Sequence, residues 1–338
     1  MPDESFGTLP PPGLDLCRCM SQSPRHLLGP NALSSTKDIK PMRSSNDYFP
    51  DNPSSHAYHI YTNTFVSQFQ SCFAISDFDM FQTHRFLGSS SEVAAQGPFH
   101  ASLRALGNGP VTVTDVADHC DSAVFMRLAG RARDGRTIAL NAETPIEISD
   151  ERCFDEVAER GDGKGLRGYS KSEWGVVMGI WNVRDNGGWV KDAMSLDDVA
   201  SMFKSKQIVS WSHSRQEVFL PQTDPAREVV LKELEFDVFT VVEMTEDIMC
   251  LGLIDKYNTL SAIHSRKGKT WEFKCLGEVL WVMAGHHRVT VKVEGTSISA
   301  LSWTIGEDMT AVRASLTDFK EEVQSVAKTY WEVEVVVR

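Results

Sequence analysis

The chain has 338 residues, 41% of them hydrophobic, with eight tryptophans and a formal net charge of −12. That size suggests two domains or one large barrel, and the apolar content argues against wholesale disorder. The acidic balance repels phosphate backbones and no basic run offsets it, so nucleic acid is not expected as a partner.

Residues 1–13, acidic and proline-rich, read as a disordered tail. They lack the basic and then apolar pattern of a signal peptide, and no apolar run is long enough to span a bilayer. A soluble cytoplasmic protein with no membrane partner is expected. Cysteines at 17, 19, 72, 120, 153, 250 and 275 are odd in number and scattered. Cys17 and Cys19 form a C-x-C with no second pair to complete a zinc site, so free thiols in a reducing compartment are expected.

"LDLCRCM" (14–20) alternates like a short strand, and 21–41 reads as a loop rich in Ser, Pro and Asn. Over 54–75 the spacing of Tyr58, Tyr61, Phe65, Phe69, Cys72 and Phe73 predicts one apolar helix face, with Ser54 and Ser55 as N-cap candidates after Pro53. "SDFDMF" (76–81) breaks that period, and 85–97 reads as a surface insertion. "FHASLRAL" (99–106) is helical again, with His100 and Arg104 four apart on one face as a structural pair. "GNGPVTVTD" (107–115) is a turn and a strand, with Asp115 at the strand's C-terminal end. Helix, turn and strand in that order is β/α grammar, and strand ends are where such folds build sites.

Beyond about residue 160 the character changes. Short Val- and Trp-rich runs separated by turn residues predict an antiparallel β-sandwich. The fold class is therefore α/β plus all-β. Its tryptophans are expected mostly in the core, although sugar stacking is the alternative.

Carboxylates crowd the first part: Asp47, Asp51, Asp77, Asp79, Asp115, Asp118 and Asp121, with Arg43, His56, His59, His84, His100 and His119 among them. Two carboxyl groups flanking a scissile bond are what glycoside chemistry requires. A metal site is the competing reading of "DVADHCD", but its spacing fits no ligand pattern, so no metal and no cofactor are expected.

Several stretches together resemble the raffinose synthase / seed imbibition protein group of α-galactosidase-like glycoside hydrolases. "RSSNDYFP" (43–50) is similar to its R-x-S-D-D-F/Y-F/W-P stretch, and "SDFDMFQTH" (76–84) to its P-D-W-D-M-F-x-S/T-x-H. "FHASLRALGNGPVTVTD", "DHCD", "EVFL", "LKELEFDVFTV", "LGLIDKYN" and "WEVEVVV" follow in the family's order. The resemblance implies the C-terminal part of a (β/α)8 barrel over 14–163 and a β-sandwich over 164–338. It implies a retaining reaction on raffinose-type α-galactosyl oligosaccharides, by hydrolysis or galactosyl transfer. Arg43 is then a positioning charge in the sugar pocket. Asp77 and Asp79 bind sugar hydroxyls or cap turns, and Asp115 is a site rim or a turn cap.

The chain departs from the family at the chemistry. The acid/base is the first acid of the family's S-D-D, and matching Ser45 to its Ser puts Asn46 there, with Asp47 as the surrogate. A carboxamide cannot donate and recover a proton as a carboxyl does. The family's nucleophile lies on a K-x-D strand before the segment resembling "LDLCRCM"; the preceding 13 residues contain no such pattern. The expectation is an isolated chain without turnover, a truncated remnant or sugar-binding protein. Open edges of a partial barrel would then favour self-association.

Overall fold

The computed structural model describes residues 18–19, 41–84, 96–148, 164–184, 187–204, 207–224, 226–319 and 328–337. The expected tail and residues 85–95 of the expected insertion lie outside them. Among the described residues the first part holds five very short parallel strands. Strand β1 (Arg18–Cys19) pairs with β2 (Pro41–Arg43), and β2 with β3 (Ile75–Ser76). Strand β4 (Met80–Phe81) pairs separately with β5 (Thr112–Val113). Helix α1 (Pro53–Gln70) connects β2 to β3 and helix α2 (Gly97–Leu106) connects β4 to β5. These are the crossovers that parallel strands require. Among the described residues the strands do not close into a barrel.

Helix α1 begins at Pro53 behind Asn52, because proline's missing N–H costs nothing in the first turn. Ser54 and Ser55 do not cap it. The Ser54 hydroxyl donates to Asn52 Oδ1, and that of Ser55 to the carbonyls of Phe49 and Asn52. The helix ends at Gln70, short of the predicted 75, where Ser71–Phe73 turn the chain into β3. Its buried face is also not the predicted apolar one. Tyr58 and Phe69 are 44% and 61% exposed, while His56, His59, Asn63, Thr64, Ser67 and Gln70 are buried. Polar side chains can occupy a buried stripe when neighbours satisfy them. Here Asn63 Nδ2 donates to the His59 carbonyl, and Gln70 bonds both Ser44 and Ser76.

Almost all of α2 is buried. It lies against the strand Gly175–Trp181, where the Trp181 indole donates to Ser102 Oγ at 2.8 Å. The turn that leaves α2 passes so close to β3 that a Cβ on Gly109 would lie 1.8 Å from the Ser76 carbonyl oxygen. Only glycine fits there. Helix α3 (Ser122–Leu128) is capped by Asp121, whose carboxylate accepts from the amides of Ala123 and Val124.

Among the described residues between 147 and 337 every strand pair is antiparallel. A six-stranded sheet runs in the order Glu217–Phe219, Ile208–Ser212, Phe236–Glu243, Gly175–Trp181, Leu166–Ser172, Glu147–Ile148. The last of these comes from before residue 164, so this sheet includes residues from both sides of the boundary read from the sequence. Gly175–Trp181 is buried along its whole length because both faces are covered. Val177 and Trp181 join the core beneath α2. Met178 and Ile180 pack on the ribbon formed by Val190–Met194 and Arg227–Leu231. Four-stranded and five-stranded sheets follow and share one core, in which the rings of Trp271 and Trp281 lie 6.0 Å apart. Trp181, Trp211, Trp271, Trp281 and Trp331 are buried, whereas Trp189 and Trp303 are 55% and 37% exposed. Among the described residues no helix is long and apolar enough to cross a membrane.

Candidate functional site

Arg43 ends β2, the middle strand of three, so its side chain leaves the sheet at the C-terminal edge. Its guanidinium pairs with the Asp47 carboxylate and reaches Asp79 Oδ1 at 3.2 Å. A planar fork suits this two-carboxylate grip. Asp79 in turn accepts the Tyr48 amide at 2.9 Å, and Asp77 Oδ1 accepts the Asp79 amide at 3.0 Å. The structure therefore brings Arg43, Asp47, Asp77 and Asp79 together from the loops that follow β2 and β3. Asp79 stands at φ +61°, a left-handed conformation that Asp tolerates better than most residues.

A buried polar cluster holds both loops from beneath. His59 in α1 sits between them, with Nδ1 3.1 Å from the Asn46 carbonyl oxygen and Nε2 3.0 Å from that of Phe78; the neutral ring has one N–H to donate, and Nε2 also lies 3.2 Å from Arg104 Nη2. Arg104 in α2 is fully buried, and its Nη2 donates to the carbonyls of Phe78, Asp79 and Met80 at 2.6, 3.0 and 3.1 Å. Three consecutive carbonyls converging on one cation fix the backbone at Asp79. Arg104 Nη1 also donates to the His100 carbonyl, so the expected pairing of His100 and Arg104 is made through the backbone. The Tyr48 ring packs edge-on against His59 and His100.

Burial sets the proton affinities of this cluster. It pushes His56 down to about 4 and His59 down to about 3, with the Arg104 charge adding to the fall at His59. It holds His100 well below the usual imidazole range and raises Tyr48 to about 12. Desolvation favours the neutral form in each case. At neutral pH the histidines are thus uncharged hydrogen-bonding spacers around one cation.

Asn46 is exposed, and its main-chain carbonyl rather than its carboxamide is tied to His59. Asp47 is more than half exposed but engaged by Arg43. Asp115 stands apart from this group. Its carboxylate accepts from the Thr83 amide and hydroxyl at 2.9 and 2.7 Å and from the His84 amide at 3.2 Å. That clamps the end of β5 to the loop after β4. Among the described residues no group of three His, Cys, Asp or Glu could hold a metal ion.

Arg104 and His59 as loop-holding residues were not read from the sequence. The available signal was a polar stripe at helical spacing, His56, His59, Asn63, Ser67 and Gln70.

The family model for raffinose synthase or seed imbibition protein Sip1 matches residues 12–198. "Probable galactinol–sucrose galactosyltransferase 1" of Arabidopsis thaliana is 27% identical over 282 residues, covering 75% of this chain and 34% of that protein. "Probable galactinol–sucrose galactosyltransferase 6" of the same plant is 23% identical over 278 residues, covering 74% and 35% respectively. The chain thus spans about a third of the length of these curated relatives. A solved structure from Bacteroides fragilis, described as a candidate alpha-galactosidase, aligns with a TM-score of 0.40 and 12% identity, over 61% of this chain and 43% of its own.

Proposed function

The chain belongs to the raffinose synthase or seed imbibition protein family, and from that premise we propose that its Arg43–Asp79 loops form one wall of an α-galactosyl oligosaccharide site. The observation that carries this reading is the grip of Arg43 on Asp47 and Asp79 at the C-terminal edge of parallel strands, within the residues that match the family. Carboxylates held beside a guanidinium offer acceptors and donors at fixed spacing, which suits sugar hydroxyls. In this reading the short parallel strands with α1 and α2 are late staves of a (β/α)8 barrel, and the antiparallel sheets make up the sandwich that follows it.

Galactosyl chemistry at this wall needs a proton carrier for the leaving oxygen. At the matched position stands Asn46, which cannot serve. Asp47 next to it is paired with the Arg43 guanidinium. The function we assign to this chain is therefore recognition of an α-galactosyl oligosaccharide without turnover.

Two assays test it together: calorimetric titration with raffinose and release of nitrophenol from an aryl α-galactoside. Saturable binding that Arg43→Ala removes, with release at background, supports the assignment. Release that Asp47→Ala abolishes would make Asp47 the proton carrier and the chain an enzyme. Absence of raffinose binding would remove the recognition role.

A further inference from the structure

We propose that the outward face of α1 docks a second copy of this chain, with the two α1 helices packed antiparallel about a two-fold axis. A surface helix ordinarily turns its apolar stripe to the core. This one is inverted. His56, His59, Asn63, Ser67 and Gln70 face inward, while Tyr58 and Phe69 on the other side are 44% and 61% exposed. Tyr61 and Phe65 stand half-buried between them, with ring centres 4.5 Å apart. An exposed apolar patch of this kind on a folded chain marks an interaction surface. It lies opposite the face of α1 that holds the Arg43–Asp79 loops, and the inference does not depend on their binding sugar.

The spacing says that the partner surface is a helix. Tyr58, Thr62, Phe65 and Phe69 recur at alternating steps of four and three residues, the period of a seam between two helices. Paired antiparallel with itself, the seam is self-complementary. Tyr58 meets Phe69 of the second copy, and Thr62 meets its Phe65. The centre then sets a small side chain against a large one, and the ends set ring against ring. Each contact occurs twice, as a two-fold axis requires. A parallel pair would instead set Phe65 on Phe65 and Thr62 on Thr62, crowding one layer and leaving space in the next.

Charge favours a second copy as that helix. The chain carries a net charge of −12, so two copies repel unless they meet on a neutral face. From Pro53 to Gln70, α1 contains no Asp, Glu, Lys or Arg, although 24% of the chain is charged. A charged partner helix would find no counter-charge there, whereas a second α1 needs none. The helix ends set the direction. With no acidic residue in the first turn and no basic residue in the last, an antiparallel neighbour supplies the opposite partial charge at each terminus. One helix per side buries less than about 1,200 Å² in total, the size of transient contacts, so the dimer dissociates on dilution.

The experiment is sedimentation velocity from about 5 to about 200 µM on four samples: the native chain, Phe69→Glu, Tyr58→Arg, and an equimolar mixture of the two variants. Both positions are exposed, so each variant should keep the native unfolding midpoint, which is measured alongside. The native chain is expected to dimerise reversibly, and each variant alone to dimerise at least tenfold more weakly. The mixture is expected to recover to within threefold of the native affinity, because antiparallel pairing sets the new guanidinium of one chain against the new carboxylate of the other. A native chain that stays monomeric at every concentration overturns the proposal. So does a dimer that Phe69→Glu leaves intact, which would place the contact elsewhere, as on the strand edges. Loss in both variants without recovery in the mixture overturns the antiparallel pairing. None of these outcomes depends on raffinose binding at Arg43.

Discussion

His56 Nδ1 and His100 Nε2 lie 2.8 Å apart, joining α1 to α2 by one shared proton between two neutral imidazoles. Both rings are fully buried, and both titrate far below an exposed histidine. In the unfolded chain each imidazole takes up a proton near pH 6.5, whereas in the folded chain His56 does so only near 4. A depressed folded value gives stability that is fully present above pH 6.5 and is lost as pH falls toward 4. From pH 6.5 to 5 the pair should lose at least about 2 kcal/mol. Urea unfolding midpoints at pH 7.5 and 5.0 check this, and a His56→Gln/His100→Gln chain should show a shallower fall. His59 and His213, each near 3, act in the same direction and remain in that control.

Arg104 should be the most sensitive single residue of the first part. Arg104→Leu leaves the carbonyls of Phe78, Asp79 and Met80 without their buried donor. Each stranded carbonyl costs about 1–3 kcal/mol, and relaxation of the loop recovers part of it, so a loss of about 3–5 kcal/mol is expected. Arg104→Lys keeps the charge but not the fork, and should fall between the two. Thermal unfolding of the three chains checks the order.

The thiols should separate by burial. Cys19, Cys72 and Cys120 are exposed, while Cys250 and Cys275 are buried thiols pushed by desolvation to about 12 and about 11. Reaction requires the thiolate, so burial and a raised pKa both act against the second group. Iodoacetamide labelling at pH 8, read by peptide mass spectrometry, should modify the first three readily. The other two should label only in urea.

Much of the candidate site was legible because its residues are short-range in sequence. Arg43, Asp47, Asp77 and Asp79 fall in two loops, and strand-end logic places such loops side by side. The buried face of α1 was not legible. Periodicity reads apolar side chains as the inside, and here the inside includes His56, His59, Asn63, Ser67 and Gln70, of which His56, His59 and Gln70 meet partners far away in the chain. Strand β2 was missed because three residues cannot show alternation. Asp115 had two readings that the sequence could not separate, and its carboxylate is engaged by the Thr83 amide and hydroxyl and the His84 amide. The exposed Trp189 was hidden among core tryptophans for the same reason, since composition does not say which ring faces water.

Asp79 and Asp47 hold the same guanidinium but should not matter equally. The Asp79 side chain is 11% exposed and also accepts the Tyr48 amide, whereas that of Asp47 is 59% exposed. Solvent screens the outer pair, so Asp47→Asn should cost less than about 1 kcal/mol. Asp79→Asn keeps a neutral acceptor but loses the buried charge opposite Arg43, and should cost about 2–3 kcal/mol. It also weakens the carboxylate contacts that sustain the left-handed backbone at this position. Raffinose affinity should follow the same order, falling at least tenfold for Asp79→Asn and no more than threefold for Asp47→Asn. Unfolding midpoints and calorimetric titrations on the two chains check both orders. Equal losses from the two substitutions would mean that Arg43 is oriented by something other than Asp79, and the geometry assigned to the site would have to change.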